Sequence, residues 1–173
     1  MIQPIVLYGN PILRQRCEPY HPGTQVDSII QDLWDTMYNA KGAGLAAPQI
    51  GQLFRIFIVD PPFVDFKRVF INPTILEYSK ETSVLEEGCL SIPGLQAPIE
   101  RPISIKIEWY DEKWKKNTEE FSGLKAKVIQ HEYDHLEGVL WLDRASSKFT
   151  IPMITALKHC QMRKVNNVDY PYV

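Results

Sequence analysis

No stretch of eighteen consecutive apolar residues occurs in this chain of 173 residues, so no segment of it is long enough to cross a bilayer as a helix. An excess of basic charge is missing too. The 19 Lys and Arg against 21 Asp and Glu leave a formal charge of −2, which supplies no field for nucleic acid or an anionic membrane surface. Cysteine is scarce: Cys17, Cys89 and Cys160 are an odd number at wide spacing. They form no disulfide framework, and reduced thiols in a cytoplasm are the expectation. The opening MIQPIVLYGNPILRQRC lacks a cationic patch followed by an apolar run and a small-residue cleavage site, so no export signal is expected. Internal repeats and low-complexity tracts are also absent.

What is present is ordinary material for one globular domain spanning 1–173, with 45% hydrophobic and 23% charged residues. From Val26 the apolar Ile29, Ile30, Leu33 and Met37 recur at steps of three and four, predicting an amphipathic helix that stops near Gly42. RIFIVD (55–60), RVFIN and TILEYS read as short strands bounded by Pro or Asn. ISIKIEWY alternates cleanly, which predicts a strand with Ile103, Ile105, Ile107 and Trp109 on the core face. SGLKAKVIQHEYDHLEG predicts a second helix, capped by Ser122 and stopped by Gly138, and Phe149 to Lys164 a third. Strands with isolated helices make the fold class α+β.

The chemistry concentrates in His131-Glu132-Tyr133-Asp134-His135. Histidines four apart on a helix are separated by about 40° of rotation and about 6 Å of rise, so both imidazoles reach one ion. Glu132 lies about 60° round the helix from His135, beside the ion without joining its ligands, where a general base belongs. His21 and His159, which stand alone, read as hydrogen-bonded core residues.

Two histidines do not complete a catalytic metal site, which normally takes three protein ligands and an open position. Glu137 and Asp143 follow too closely to be obvious third ligands. Upstream, Cys89 in Glu86-Glu87-Gly88-Cys89-Leu90-Ser91 is the candidate, with Cys17 and Cys160 reading as small buried hydrophobes. The remaining distinctive stretch is Gly42-Ala43-Gly44-Leu45-Ala46-Ala47-Pro48-Gln49. Its glycines permit a close backbone approach to a ligand, and Gln49 offers a neutral amide donor for an oxyanion. A metalloprotease with a downstream ligand, or a non-enzyme that binds N-terminal peptides or is only structurally stabilised by metal, stays open beside a metal-dependent amide hydrolase.

GAGLAAPQ, EGCLS and QHEYDH, in this order and at these separations, resemble the signature motifs of peptide deformylases. The resemblance covers about residues 4 to 145, including Gly9 to Arg14 and Phe70-Ile71-Asn72-Pro73. It implies an α+β fold with antiparallel strands packed around a central metal-binding helix. It implies Cys89, His131 and His135 as metal ligands and Glu132 as general acid/base. Gln49, through its side-chain amide, and Leu90, through its backbone N–H, become donors to the formyl oxygen. Gly44 would pair with the substrate backbone, and Leu124 and Val128 would line a methionine pocket.

The implied cofactor is one divalent ion, Fe(II) in the cell, with Zn(II), Ni(II) or Co(II) suiting the same donors. The implied substrate is an N-formyl-methionyl peptide, with ribosome association as a further implied partner. Where relatives often carry an arginine after EGCLS, this chain has Gly94-Leu95-Gln96, which affects its hold on the substrate backbone. Arg101 matches a family arginine, and the resemblance implies a Glu87–Arg101 ion pair.

Overall fold

The computed structural model describes residues 1–146. Seven strands and three helices are laid out as α1 (Asp27–Asn39), β1 (Gly44–Ala46), β2 (Ile56–Val59), β3 (Arg68–Tyr78), β4 (Thr82–Cys89), β5 (Ile92–Pro102), β6 (Ser104–Tyr110), β7 (Lys116–Ser122), α2 (Gly123–Leu136) and α3 (Trp141–Arg144). An antiparallel sheet has the order β1-β2-β3-β6-β7, and β4 with β5 forms a separate two-stranded hairpin. This is the α+β arrangement expected from the sequence.

The centre of the sheet explains why β2 is apolar without alternation. All four residues of Ile56–Val59 are buried because helices cover both faces. Ile56 and Ile58 pack with Leu33, Met37 and other α1 residues, while Phe57 and Val59 pack with Ala126 and Ile129 of α2. Phe57, Phe70, Trp109 and Phe121 form an aromatic cluster under α2, with Phe57 and Phe70 stacked at 4.7 Å between ring centroids. The helix is therefore enclosed between the sheet and the β4–β5 hairpin.

Several sequence expectations change in detail. RVFIN and TILEYS form one strand, β3, instead of two. Asn72 takes φ 48° and the register slips between Ile71 and Thr74, so the strand passes through Asn-Pro by bulging. The Asn72 side chain compensates by bonding both the N–H and the C=O of Tyr20. In β6, Ile105, Ile107 and Trp109 are buried as expected, but Ile103 precedes the strand and is 36% exposed. Helix α1 ends at Asn39, before Gly42. Ser122 is the N-cap of α2 by position, yet its side chain makes no capping bond. His21 is exposed and so is not a core residue. The helix expected over Phe149 to Lys164, with His159 and Cys160, lies outside the described residues.

Candidate active site

Helix α2 turns three sides to three neighbours. Ala126 and Ile129 face the sheet, His131 and Asp134 face the hairpin, and Glu132 lies against β1. The hairpin brings its turn to the same place. Its register jumps from Gly88↔Gln96 to Cys89↔Ile92, leaving Pro93, Gly94 and Leu95 bulged out with Gly94 at φ 76°, a conformation that suits glycine. The bulge lets the two strands close on a two-residue turn, Leu90-Ser91, directly after Cys89.

Cys89, His131 and His135 thereby meet, with one donor atom from each lying within 4.8 Å of the others. Cys89 Sγ is 3.3 Å from His135 Nε2. His131 Nδ1 is 2.9 Å from Glu87 Oε2. An ionised carboxylate can only accept, so Nδ1 carries the proton and Nε2 is left with its lone pair for a metal. A thiolate and two imidazoles, mutually close and set at the edge of the interior, suit a borderline-soft divalent ion. The donor set therefore fits a divalent metal ion.

Charge behind these ligands is organised by Arg101, which is 2% exposed. Its Nε and Nη2 donate to the two Glu87 oxygens at 2.5 and 2.9 Å, and its Nη1 donates to Asp134 Oδ2 at 2.8 Å. Arg144, on α3, also holds Asp134, its Nε donating to the same Oδ2 at 2.6 Å and its Nη2 to Oδ1 at 2.5 Å. Burial pushes the Glu87 pKa up, but hydrogen bonds from His131 and Arg101 outweigh it and hold the carboxyl at about 2.

Glu132 is handled in the opposite way. It is 4% exposed, and its Oε2 has no partner among the described residues. Burial raises its pKa to about 7, with the neighbouring His131 pulling it down. Its Oε1 sits against β1 so closely that a Cβ on Gly44 would come within 2.5 Å of it. Only glycine leaves room for the carboxylate there.

Gln49 lies in a short 3-10 turn, Ala47–Ile50, that follows β1, and is 1% exposed. Its Oε1 accepts from the Ala46 N–H at 2.9 Å, and its Nε2 lies 3.1 Å from Ser91 Oγ and 3.5 Å from Cys89 Sγ. These groups border an open cleft of about 900 Å³. Gly44, Gln49, Cys89, Leu90, Leu124, Val128, His131 and Glu132 all line it, while His135 stands just behind Cys89. All nine residues singled out from the sequence thus come together. Cys17, by contrast, is a buried hydrophobe of the core under α2 that does not line this cleft, its thiol pushed up to about 12 by burial.

Sequence reasoning missed Ser91, Asp134 and Arg144. Asp134 stands three residues after His131, on the same side of a helix, and Ser91 two after Cys89. Those spacings were the available signals. Nothing local in the sequence pointed to Arg144.

A family model described as polypeptide deformylase matches residues 2–150. The chain belongs to the polypeptide deformylase family. A peptide deformylase of Christiangramia forsetii is 42% identical, over 98% of this chain and 94% of its own. One of Karelsulcia muelleri is 48% identical, over 83% of this chain and 78% of its own. Among solved structures, the peptide deformylase of Thermotoga maritima is similar with a TM-score of 0.81 at 41% identity, covering 84% of this chain and 99% of that one. The Plasmodium falciparum peptide deformylase, solved with an inhibitor, gives a TM-score of 0.84 at 34% identity, covering 92% of this chain and 99% of that one. As a deformylase this protein is a metal-dependent amide hydrolase, removing the N-formyl group from the N-terminal methionine of newly made polypeptides and releasing formate. No helix among the described residues is long and apolar enough to cross a membrane.

Proposed function

We propose that Cys89, His131 and His135 hold the metal of this deformylase, that Glu132 moves the proton, and that Gln49 and Leu90 receive the charge that develops on the formyl oxygen. The observation that carries this reading is the meeting of three metal-type donors within 4.8 Å beside a buried carboxylate. A divalent ion held there supplies Lewis acidity and brings the pKa of water from 15.7 to roughly 7. Fe(II) is the ion proposed for the cell, with Zn(II), Ni(II) and Co(II) accepted by the same donors.

Around that centre the chain's own groups have separate tasks. Glu132, with one carboxylate oxygen unpartnered and the other against Gly44, takes the proton of the attacking water and returns it to the leaving amine. The Gln49 amide and the Leu90 N–H stabilise the oxyanion, each worth about 3 to 4 kcal/mol in a water-excluded site. Gly44 presents its backbone to the substrate chain. Leu124, 39% exposed, and Val128, both lining the cleft, offer apolar surface to the methionine side chain. Glu87 orients His131, and Arg101 with Asp134 orients Glu87.

The whole chain, 1–173, is read as one catalytic domain acting in the cytoplasm on chains emerging from the ribosome. The deciding experiment is formate release from a formyl-Met peptide against an acetyl-Met peptide, using protein purified anaerobically with its metal measured. Formate from the first alone, abolished in Glu132→Ala with metal retained, is expected. Full activity in Glu132→Ala overturns the proposed proton carrier.

A further inference from the structure

We propose that Ser91 is a positioning residue for deformylation, its hydroxyl holding the Gln49 side-chain amide in the orientation that presents an N–H to the reacting carbonyl. This rests on the reading of Gln49 as an oxyanion donor. The bond lies wholly inside the protein, since Ser91 is 0% and Gln49 1% exposed. A backbone N–H can only donate, so the bond from Ala46 N–H at 2.9 Å identifies the amide oxygen and leaves Nε2 on the other side. Nε2 has two hydrogens. One is directed to Ser91 Oγ at 3.1 Å, and the other lies on the side of Cys89 Sγ, at 3.5 Å, where the cleft opens. The amide is thus pinned through its oxygen and one N–H, and its second N–H makes only the long contact to Cys89 Sγ at the edge of the cleft.

The frame that carries this bond is equally defined. Val6 N–H donates to the Gln49 carbonyl and Tyr8 N–H to the Ser91 carbonyl, both at 2.8 Å. The N-terminal arm therefore ties the turn bearing Gln49 to the hairpin turn bearing Leu90 and Ser91. Donors aimed before the reaction lower the barrier because they need no reorganisation when charge appears. An amide without the Ser91 acceptor would have to be ordered at that moment. Since the charge exists only in the transition state, the loss falls on kcat and spares KM.

The test compares Ser91→Ala, Gln49→Ala and the double variant as metal-loaded enzymes on one formyl-Met tripeptide, with metal content measured for each. Ser91→Ala is expected to lose about 10-fold in kcat, the worth of one hydrogen bond, with KM within about 2-fold and metal intact. Gln49→Ala is expected to lose about 100-fold or more. The double variant should match Gln49→Ala, because Ser91 acts only through that side chain. Ser91→Thr, which keeps the hydroxyl, should recover part of the loss. An unchanged kcat in Ser91→Ala while Gln49→Ala is impaired overturns the inference and leaves the role of Gln49 standing. Losses that multiply in the double variant, or a Ser91→Ala protein that has shed its metal, also overturn it. Wild-type kcat in Gln49→Ala overturns the oxyanion reading itself.

Discussion

Arg101 holds Glu87 through two parallel bonds, from Nε at 2.5 Å and Nη2 at 2.9 Å, and the pair is buried directly behind His131. Replacing Arg101 with Met leaves two carboxylates, Glu87 and Asp134, buried with the guanidinium between them gone. Breaking a buried pair in this way costs about 3 to 5 kcal/mol. Urea unfolding of Arg101→Met should show a loss of that order, together with weaker metal retention on dialysis. A double-mutant cycle with Glu87→Gln should show strong coupling; none would mean that the contact contributes nothing to the fold.

Gly44 is a spatial requirement of Glu132. A Cβ at that position would lie 2.5 Å from the carboxylate oxygen, well inside van der Waals contact. Gly44→Ala should bind metal at wild-type stoichiometry yet lose on the order of 100-fold in kcat, as displacement of a catalytic group by about 1 Å does. Wild-type turnover in this variant would show that Glu132 works equally well from a displaced position.

Acid should weaken the fold through Glu87. A carboxyl whose pKa is lower folded than unfolded adds stability above its unfolded value, and that contribution fades as pH falls toward the folded value. For Glu87 the window runs from about 4.5 down to about 2. A shift of that size is worth on the order of 3 kcal/mol. Urea midpoints with chelator present throughout, so that metal release does not enter, should fall more between about pH 6 and about pH 3 in the wild type than in Glu87→Gln. Equal falls would show that Glu87 carries no such linkage.

Removal of metal tests the ligand set. Chelation should abolish formate release and lower the melting temperature, and Fe(II) or Co(II) should restore both. Binding only to the folded state adds about 4 kcal/mol at a ligand concentration 1,000 times Kd. Cys89→Ala should copurify with little metal, and its melting temperature should not respond to chelator. Stoichiometric metal in that variant would place the third ligand elsewhere.

Much of this site is legible in the sequence. A helix has a fixed pitch, so His131, Glu132 and His135 acquire their relation from spacing alone. The burial of Ile105, Ile107 and Trp109 follows in the same way from the period-two pattern of β6. Cys89 and Gln49 stood out by residue type, as a spare thiolate and a neutral amide, and resemblance added Leu90, but none of these came with local geometry. Asn72-Pro73 misled the strand assignment because a bulge held by the Asn72 side chain to Tyr20 lets β3 continue where turn chemistry signals a stop.

Local sequence, then, determined the two-histidine helix with its acid, since both depend only on covalent spacing and backbone hydrogen bonding. Tertiary structure decided everything that must cross the chain. Cys89 reaches His135 across 46 residues, Ser91 meets Gln49 across 42, and Arg101 reaches Asp134 across 33. These contacts exist because α2 is enclosed between a sheet and a hairpin whose bulged register brings Cys89 to its last strand position. No spacing rule carries that information, because it resides in how two independently readable elements pack.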